Sequence, residues 1–478
     1  IEGFPCLHEF QIGGISLMPT VGELLTVPGL PSDTIKTGYR SRFSHENEVV
    51  KPGYYSVLLE DYQIQAELTA TERVAFQRFT FPQGQEKHIL FNIGNRQGES
   101  GAVKDAYVVY NQDGTVEGWV ITEPEYVKKY QPGAVVPLYF FAVLDKEPLN
   151  YGAYNGNVQQ PGVRESKGVG AGMYFSFASE NQEVVTAKIG LSYTSVENAR
   201  LNLQQEASDL DFDRAKERAQ ATWEDYLGRI RVETECREDK VKFYTGLYHA
   251  LLGRGLASDV NGAYPRNDGS VGQLPMKEGT PLYNIYNTDA AWGAQWNLSQ
   301  LWILAYPEYM SEYISSHLQA YKDAGWLADG LANNRYVSGV GTNLLSTIIA
   351  SAYECGIRDF DTKIAYEACL KNELEGKNRP FGAGKVNTTE FVKYGYVPHQ
   401  DAGEGYHETF MFSASHTLEY SYSAWAVAQW AKQLGDEAHY SQLMDLSKGW
   451  ERLYDSSCNF IRPKKADGKF VDNFDPMQ

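Results

Sequence analysis

The chain has 478 residues, 42% of them hydrophobic and 13% aromatic, which is more apolar material than one core usually holds and argues against a disordered polymer. Its formal net charge is −18 with no cluster of Lys and Arg, which argues against a phosphate-tracking surface for nucleic acid or an anionic membrane. No apolar run reaches the roughly 18 residues that a membrane span needs, and five scattered cysteines without CxxC spacing argue against a zinc cluster or a dense disulfide framework.

Residues 1 to about 207 read as strands. "QIQAELTAT" sets Ile64, Ala66, Leu68 and Ala70 against Gln65, Glu67 and Thr69, and "VTAKIGLSY" alternates Val185, Ala187, Ile189, Leu191 and Tyr193 with polar or small residues. Period two predicts strands buried on one face. Asp113-Gly114 lies between two such runs and predicts a hairpin turn. Short strands separated by Gly- and Pro-containing turns predict an antiparallel β-sandwich.

The period then changes. "DFDRAKERAQATWEDYLGRI" carries Ala215, Ala219, Trp223 and Leu227 at four-residue spacing and reads as a charged linker helix within residues 208–236. Residues 237–478 read as helical. Val241, Tyr244, Tyr248 and Leu251 repeat along one predicted helix. "EYMSEYISSHLQAYKDAG" and "NLLSTIIASAYECG" each end at a Gly suited to a C-cap. "SHTLEYSYSAWAVAQWAK" repeats Leu418, Tyr422, Trp425 and Ala426. Long helices joined by Gly-rich loops predict an α/α barrel.

The loops between these helices are long and rich in Tyr, Trp, Asn, Asp and His, as in "GWLADGLANNRYVSGVGTN" and "KYGYVPHQDAGEGYHETFMFSASHT". Loops of that length in a compact domain are usually functional or disordered, and their aromatic content argues for ordered, functional loops. No P-loop, HExxH, nucleophile elbow or EF-hand order occurs. What remains is a pocket of carbohydrate-binding character, because flat aromatic rings stack on the C–H faces of pyranoses. His8 and Glu9 in "PCLHEF" read as a loop reaching toward that pocket or as a surface turn. Trp292 reads as pocket wall or core, and Trp296 reads as core by its helical spacing. Asp289 and Asn343 each read as a helix N-cap or a sugar-hydroxyl contact. His416 and Glu419 sit in the first turn of a helix, where a carboxylate gains from the helix dipole with or without a pocket role.

Several ordered segments resemble one family: "GFPCLHEFQIGGISLMPTVG", "YYSVLLEDYQIQAELTATERVAFQRFTFP", "YHALLGRGLASDVNGAY", "TDAAWGAQWNLSQLWILAYPE", "GIRDFDTKIAYEA", "YGYVP", "SHTLEYSYSAWAVAQWAK" and "DGKFVDNFDP". Together they are similar to glycoside hydrolase family 92, the calcium-dependent exo-acting α-mannosidases. The resemblance implies an N-terminal antiparallel β-sandwich, residues 1–207, packed on an incomplete (α/α)6 barrel. It implies release of terminal mannose from glycans with inversion, by an acid and a base roughly 6.5 to 9.5 Å apart. It also implies Ca2+ gripping the sugar's 2- and 3-hydroxyls, and a secreted, periplasmic or cell-surface location. His8, Glu9, Trp292, Asn343, His416 and Glu419 would line the terminal-sugar site. The family's acid, base and calcium ligands are expected beyond Gln478, so no catalytic residue and no metal ligand is assigned here.

The chain departs from the family pattern at four places. Gly293 follows Trp292 where Asp is common, His416 stands where Arg is common, Ser423-Ala424 replaces an Asp pair, and Phe10 replaces a Trp. These departures leave open a shifted sugar specificity, or a non-catalytic carbohydrate-binding relative, as alternatives to the α-mannosidase.

Overall fold

Alternation along a strand predicts its fate only where one face meets a core, and the computed structural model of this chain makes that visible. It describes residues 1–9, 11–30, 37–178, 180–253, 255–400 and 412–476, with the side chains of His8 and Glu9 outside the description. The chain divides into two units. The first comprises Ile1–Pro265 with Gly269–Leu282, and the second Arg266–Asp268 with Tyr283–Gln478.

The first unit holds two antiparallel sheets. Six strands run in the order Phe4–Glu9, Ile12–Val21, Lys87–Asn92, Ala171–Phe177, Asn150–Asn155 and Val158–Pro161. Nine others run from Glu165–Lys167 through Ala102–Tyr110, Thr115–Glu123, Val136–Leu144, Glu183–Ser192, Val74–Phe81, Ile64–Ala70 and Tyr54–Leu59 to Glu48–Lys51. Neither sheet closes on itself. Aromatic rings from both fill the space between them: Phe91 meets Phe140 at 6.4 Å and Phe175 meets Tyr110 at 5.0 Å. Gly14 is required there, since it has φ +144 and a Cβ on it would fall 2.5 Å from a methyl of Val120 on the facing sheet.

The Asp113-Gly114 hairpin forms as its sequence dictates. Gly114 takes φ +83, and the Asp113 carboxylate accepts from the Thr115 amide at 3.1 Å and hydroxyl at 2.7 Å. Alternation fails in Glu183–Ser192, where Thr186 and Gly190 on the supposed outer face are buried as well. The reason is a helix, Val196–Ala207, lying in the stretch read as strands. Ala199, Leu203 and Ala207 from it pack with Val74, Phe76 and Phe141 of the sheet and with Phe212 and Ala215 of the next helix. Gly190 admits it, because a Cβ there would stand 2.3 Å from the Ala199 carbonyl. The charged helix follows as Phe212–Gly228, capped by the Asp211 carboxylate at the Arg214 amide, 2.9 Å.

The second unit is helical, with Leu298–Ala305, Pro307–Ala324, Leu345–Glu354, Thr362–Leu374, Thr388–Tyr394, Ser413–Leu434 and Glu437–Leu446 as its main elements. Gly325 caps Pro307–Ala324 in the left-handed conformation, φ 81, as its sequence predicts. Ser413–Leu434 packs against Leu345–Glu354, Thr362–Leu374 and Glu437–Leu446. Its predicted apolar stripe is turned outward: Leu418, Tyr422 and Trp425 are exposed and of the four only Ala426 is buried. The buried face is instead Thr417, Tyr420, Ser421, Ser423, Ala424, Val427, Ala428, Trp430 and Ala431. Small and hydroxylated residues let neighbouring backbone approach closely, and Trp430 stacks on Tyr353 at 4.4 Å to fill what remains. No helix among the described residues is long and apolar enough to cross a membrane.

Candidate functional site

Three of the six predicted site residues, Trp292, Asn343 and His416, meet at the Gly-rich loop Ser338 to Asn343 in the second unit. Its tip, Gly339 and Val340, is exposed, whereas Gly341, Thr342 and Asn343 are buried. Three elements hold it. The Asp329 carboxylate, fully buried, accepts from the Ser338 hydroxyl at 2.7 Å, the Gly339 amide at 3.0 Å and the Ala291 amide at 3.2 Å. Burial pushes this carboxyl above its ordinary range against the pull of those donors. The Val386 amide donates to the Gly341 carbonyl at 3.1 Å. Tyr420 donates its hydroxyl to the Val386 carbonyl at 2.5 Å.

Trp292 reaches the loop from the other side. The segment before it pairs with the strand Gly330–Ala332 through reciprocal backbone bonds between Thr288 and Leu331 at 2.7 and 3.2 Å. The half-buried indole then rests on Gly339, where a Cβ would fall 2.6 Å from the indole nitrogen. Only Gly allows the ring this seat. Trp296, read from its spacing as core, is 61% exposed and meets Trp292 edge to face at 5.0 Å. Four-residue spacing brings the two rings together, but the short helix Ala291–Ala294 ends before a second helical face can cover Trp296.

Asn343 has φ +40 and a fully buried side chain. Its amide donates to the Leu327 carbonyl at 3.0 Å, and its own carbonyl accepts from Asn372 at 3.2 Å. It therefore anchors the loop. His416 is buried beneath the loop, with its ring stacked on Tyr420 at 5.7 Å. Burial holds the imidazole down at about 4, so it carries one proton at neutral pH. The ring bonds the Val340 carbonyl, which can only accept. Nδ1 has no partner among the described residues, so the proton sits on Nε2 and Nδ1 is left a bare, buried acceptor. Glu419, one turn on and half-buried, has its carboxyl pushed up by desolvation and pulled back by the Lys385 ammonium.

Lys385 belongs to a buried network that the sequence reading did not single out. Its ammonium meets both oxygens of Glu373 at 2.5 Å and the Ser423 hydroxyl at 2.7 Å, and lies 5.1 Å over the Tyr420 ring. Glu373 also accepts from Ser346 and Ser423. Ser423, one of the departures from the family pattern, thus hydrogen-bonds a complete ion pair.

His8 and Glu9 fall in the strand Phe4–Glu9, paired with Gly13 and Ile12, and their side chains lie outside the described residues. The first unit has a cleft of about 260 Å3 lined by Cys6, Arg73, Tyr193 and Asp259 among others. Its Asp259 carboxylate is already occupied, by Ser192 at 2.9 Å, Asn202 at 2.7 Å and Thr194. Among the described residues no three His, Cys, Asp or Glu side chains gather in a way that could hold a metal ion.

Comparison with known proteins agrees with the architecture. The sequence model described as glycosyl hydrolase family 92 N-terminal domain matches residues 1–192, and that described as glycosyl hydrolase family 92 catalytic domain matches residues 198–478. An uncharacterized secreted glycosidase of Arthroderma benhamiae is 26% identical over all of this chain and 59% of its own length. A family GH92 α-mannosidase of Bacteroides thetaiotaomicron, solved with mannoimidazole, superposes with a TM-score of 0.83 at 24% identity, over 97% of this chain and 58% of its own. A family GH92 inverting mannosidase of the same organism gives 0.83 at 23% identity, over 99% and 60%. The chain thus spans about three-fifths of the length of the relatives it matches.

Proposed function

This chain belongs to glycosyl hydrolase family 92, and we propose that it binds the terminal mannose of a glycan at the Ser338 to Asn343 loop as part of an exo-acting, inverting α-mannosidase. The observation that carries this reading is the His416 Nδ1, which has no partner among the described residues. A buried acceptor without a donor costs about 1–3 kcal/mol unless a partner arrives. A sugar hydroxyl is such a partner, and Trp292 beside the same loop offers an aromatic surface for the C–H face of the ring. Glu419, half-desolvated, offers a second acceptor whose hydrogen bonds strengthen away from water. Asn343 and Asp329 hold the loop and do not themselves meet the sugar.

Inversion needs one carboxylic acid to protonate the leaving oxygen and one carboxylate to activate water from the opposite face. Neither role is assigned to a residue of this chain. A secreted or periplasmic setting, where polymeric glycans are met, fits the substrate class.

The test is calorimetric titration with methyl α-D-mannoside alongside hydrolysis of an aryl α-mannoside. Glu419→Gln should weaken sugar affinity about tenfold, the loss of one charge-assisted hydrogen bond, with an unchanged unfolding midpoint. Undiminished affinity would remove Glu419 from the site. Mannoside binding without turnover would favour the carbohydrate-binding alternative.

A further inference from the structure

We propose that Trp296 is a stacking platform for the second sugar of the chain, the one linked to the mannose held at the loop; this rests on the site proposed above. Trp296 is the most exposed tryptophan among the exposed large hydrophobic residues, at 61%, although Trp is a residue that folding usually covers. It is not loosely placed. Its ring contacts Trp292 edge to face at 5.0 Å, a favoured aromatic geometry. Trp292 in turn is seated on Gly339, and Gly339 is fixed by the Asp329 carboxylate at 3.0 Å. The backbone beneath is fixed too: the Trp296 amide bonds the Gly293 carbonyl at 3.4 Å, and Gln300 bonds the Gln295 carbonyl at 2.9 Å.

The result is a graded pair, with a half-buried indole against the loop and an exposed one beyond it. A pyranose presents one face of C–H bonds, which an immobilised indole binds by dispersion and desolvation with little loss of side-chain entropy. An inner ring that meets the terminal sugar and an outer ring that meets the next one match the polarity of an exo-acting site. The class of ligand is therefore a disaccharide or longer glycan, preferred over the free monosaccharide.

The experiment titrates the wild-type protein, Trp296→Ala and Trp296→Phe with methyl α-D-mannoside and with α-mannobiose. Wild type should bind the disaccharide more tightly. Trp296→Ala should lose about tenfold on the disaccharide, at least fivefold more than it loses on the monosaccharide, as expected for one stacking contact. Trp296→Phe should recover most of that loss, which removal of a merely structural ring would not pattern by ligand length. An unchanged disaccharide-to-monosaccharide ratio in Trp296→Ala overturns the role of Trp296 alone. Failure of the wild type to bind either sugar overturns this role together with the site on which it rests.

Discussion

Two buried carboxylates separate the two units of this protein. Asp259 in the sheet-rich unit is enclosed by donors from Ser192, Thr194 and Asn202, and its neighbours Asn198 and Asn261 bond each other at 2.9 Å. Asp329 in the helical unit is equally satisfied, but the groups around its loop are not. Thr342 Oγ1 in the loop and His416 Nδ1 against it have no partner among the described residues. Polar groups in a folding core are paired because an orphan is costly. Each unit keeps orphans of its own among the described residues, Ser16 Oγ, Thr20 Oγ1 and Gln77 Oε1 in the first and His416 Nδ1 in the second, so what separates the units is that His416 lies against an exposed loop.

The largest effect expected from disturbing this contrast is at the Lys385–Glu373 pair. Glu373→Ala should destabilise the helical unit by about 3–5 kcal/mol, since it strands a buried ammonium. Urea unfolding followed by tryptophan emission would measure it, and a loss below 1 kcal/mol would mean that water reaches the pair.

Acid should act next. Burial lowers His317 to about 3 and His416 to about 4, both below the ordinary histidine value. The folded state then binds fewer protons than the unfolded one, so stability is full above about pH 6.5 and falls as pH drops toward 4. The His416 share is roughly 3 kcal/mol. Urea midpoints against pH should slope in that window, and His416→Asn should flatten the slope.

Smaller still is Gly339→Ala, which should displace the Trp292 indole at a cost of about 1–3 kcal/mol and weaken mannoside affinity in parallel. Gly14→Ala in the sandwich should cost a similar amount against Val120 yet leave sugar affinity unchanged. Titration of both variants compares the units directly, and equal losses of affinity would blur the distinction between them.

Hydrophobic period and turn chemistry carried the architecture. The hairpin at Asp113-Gly114, the caps at Asp211 and Gly325, and the change from strands to helices all follow from local rules that operate within a few residues. The failures were of another kind. Val196–Ala207 lies inside the stretch read as strands, although Ser195 caps it at the Asn198 amide, a helix-start signal. The Leu418, Tyr422, Trp425 stripe pointed outward because the other face makes the close contacts: Ser423 with Lys385 and Glu373, and Ser421 with Gly449 and the Trp450 amide. Asp329 stands unremarked in "LADG", and nothing local marks it as the anchor of a loop nine residues away.

Chain-local chemistry was thus enough to set the class of each half, where strands turn, where helices stop, and which family the ordered motifs belong to. It was also enough to mark Trp292, His416 and Glu419 as worth attention, because unusual residue types in a loop are visible one position at a time. Which nitrogen of His416 stays bare, which indole is seated and which is exposed, and which acid pairs with Lys385 are facts about groups far apart in the chain. They depend on burial and on distance through space, and neither is encoded at the residue where its effect appears.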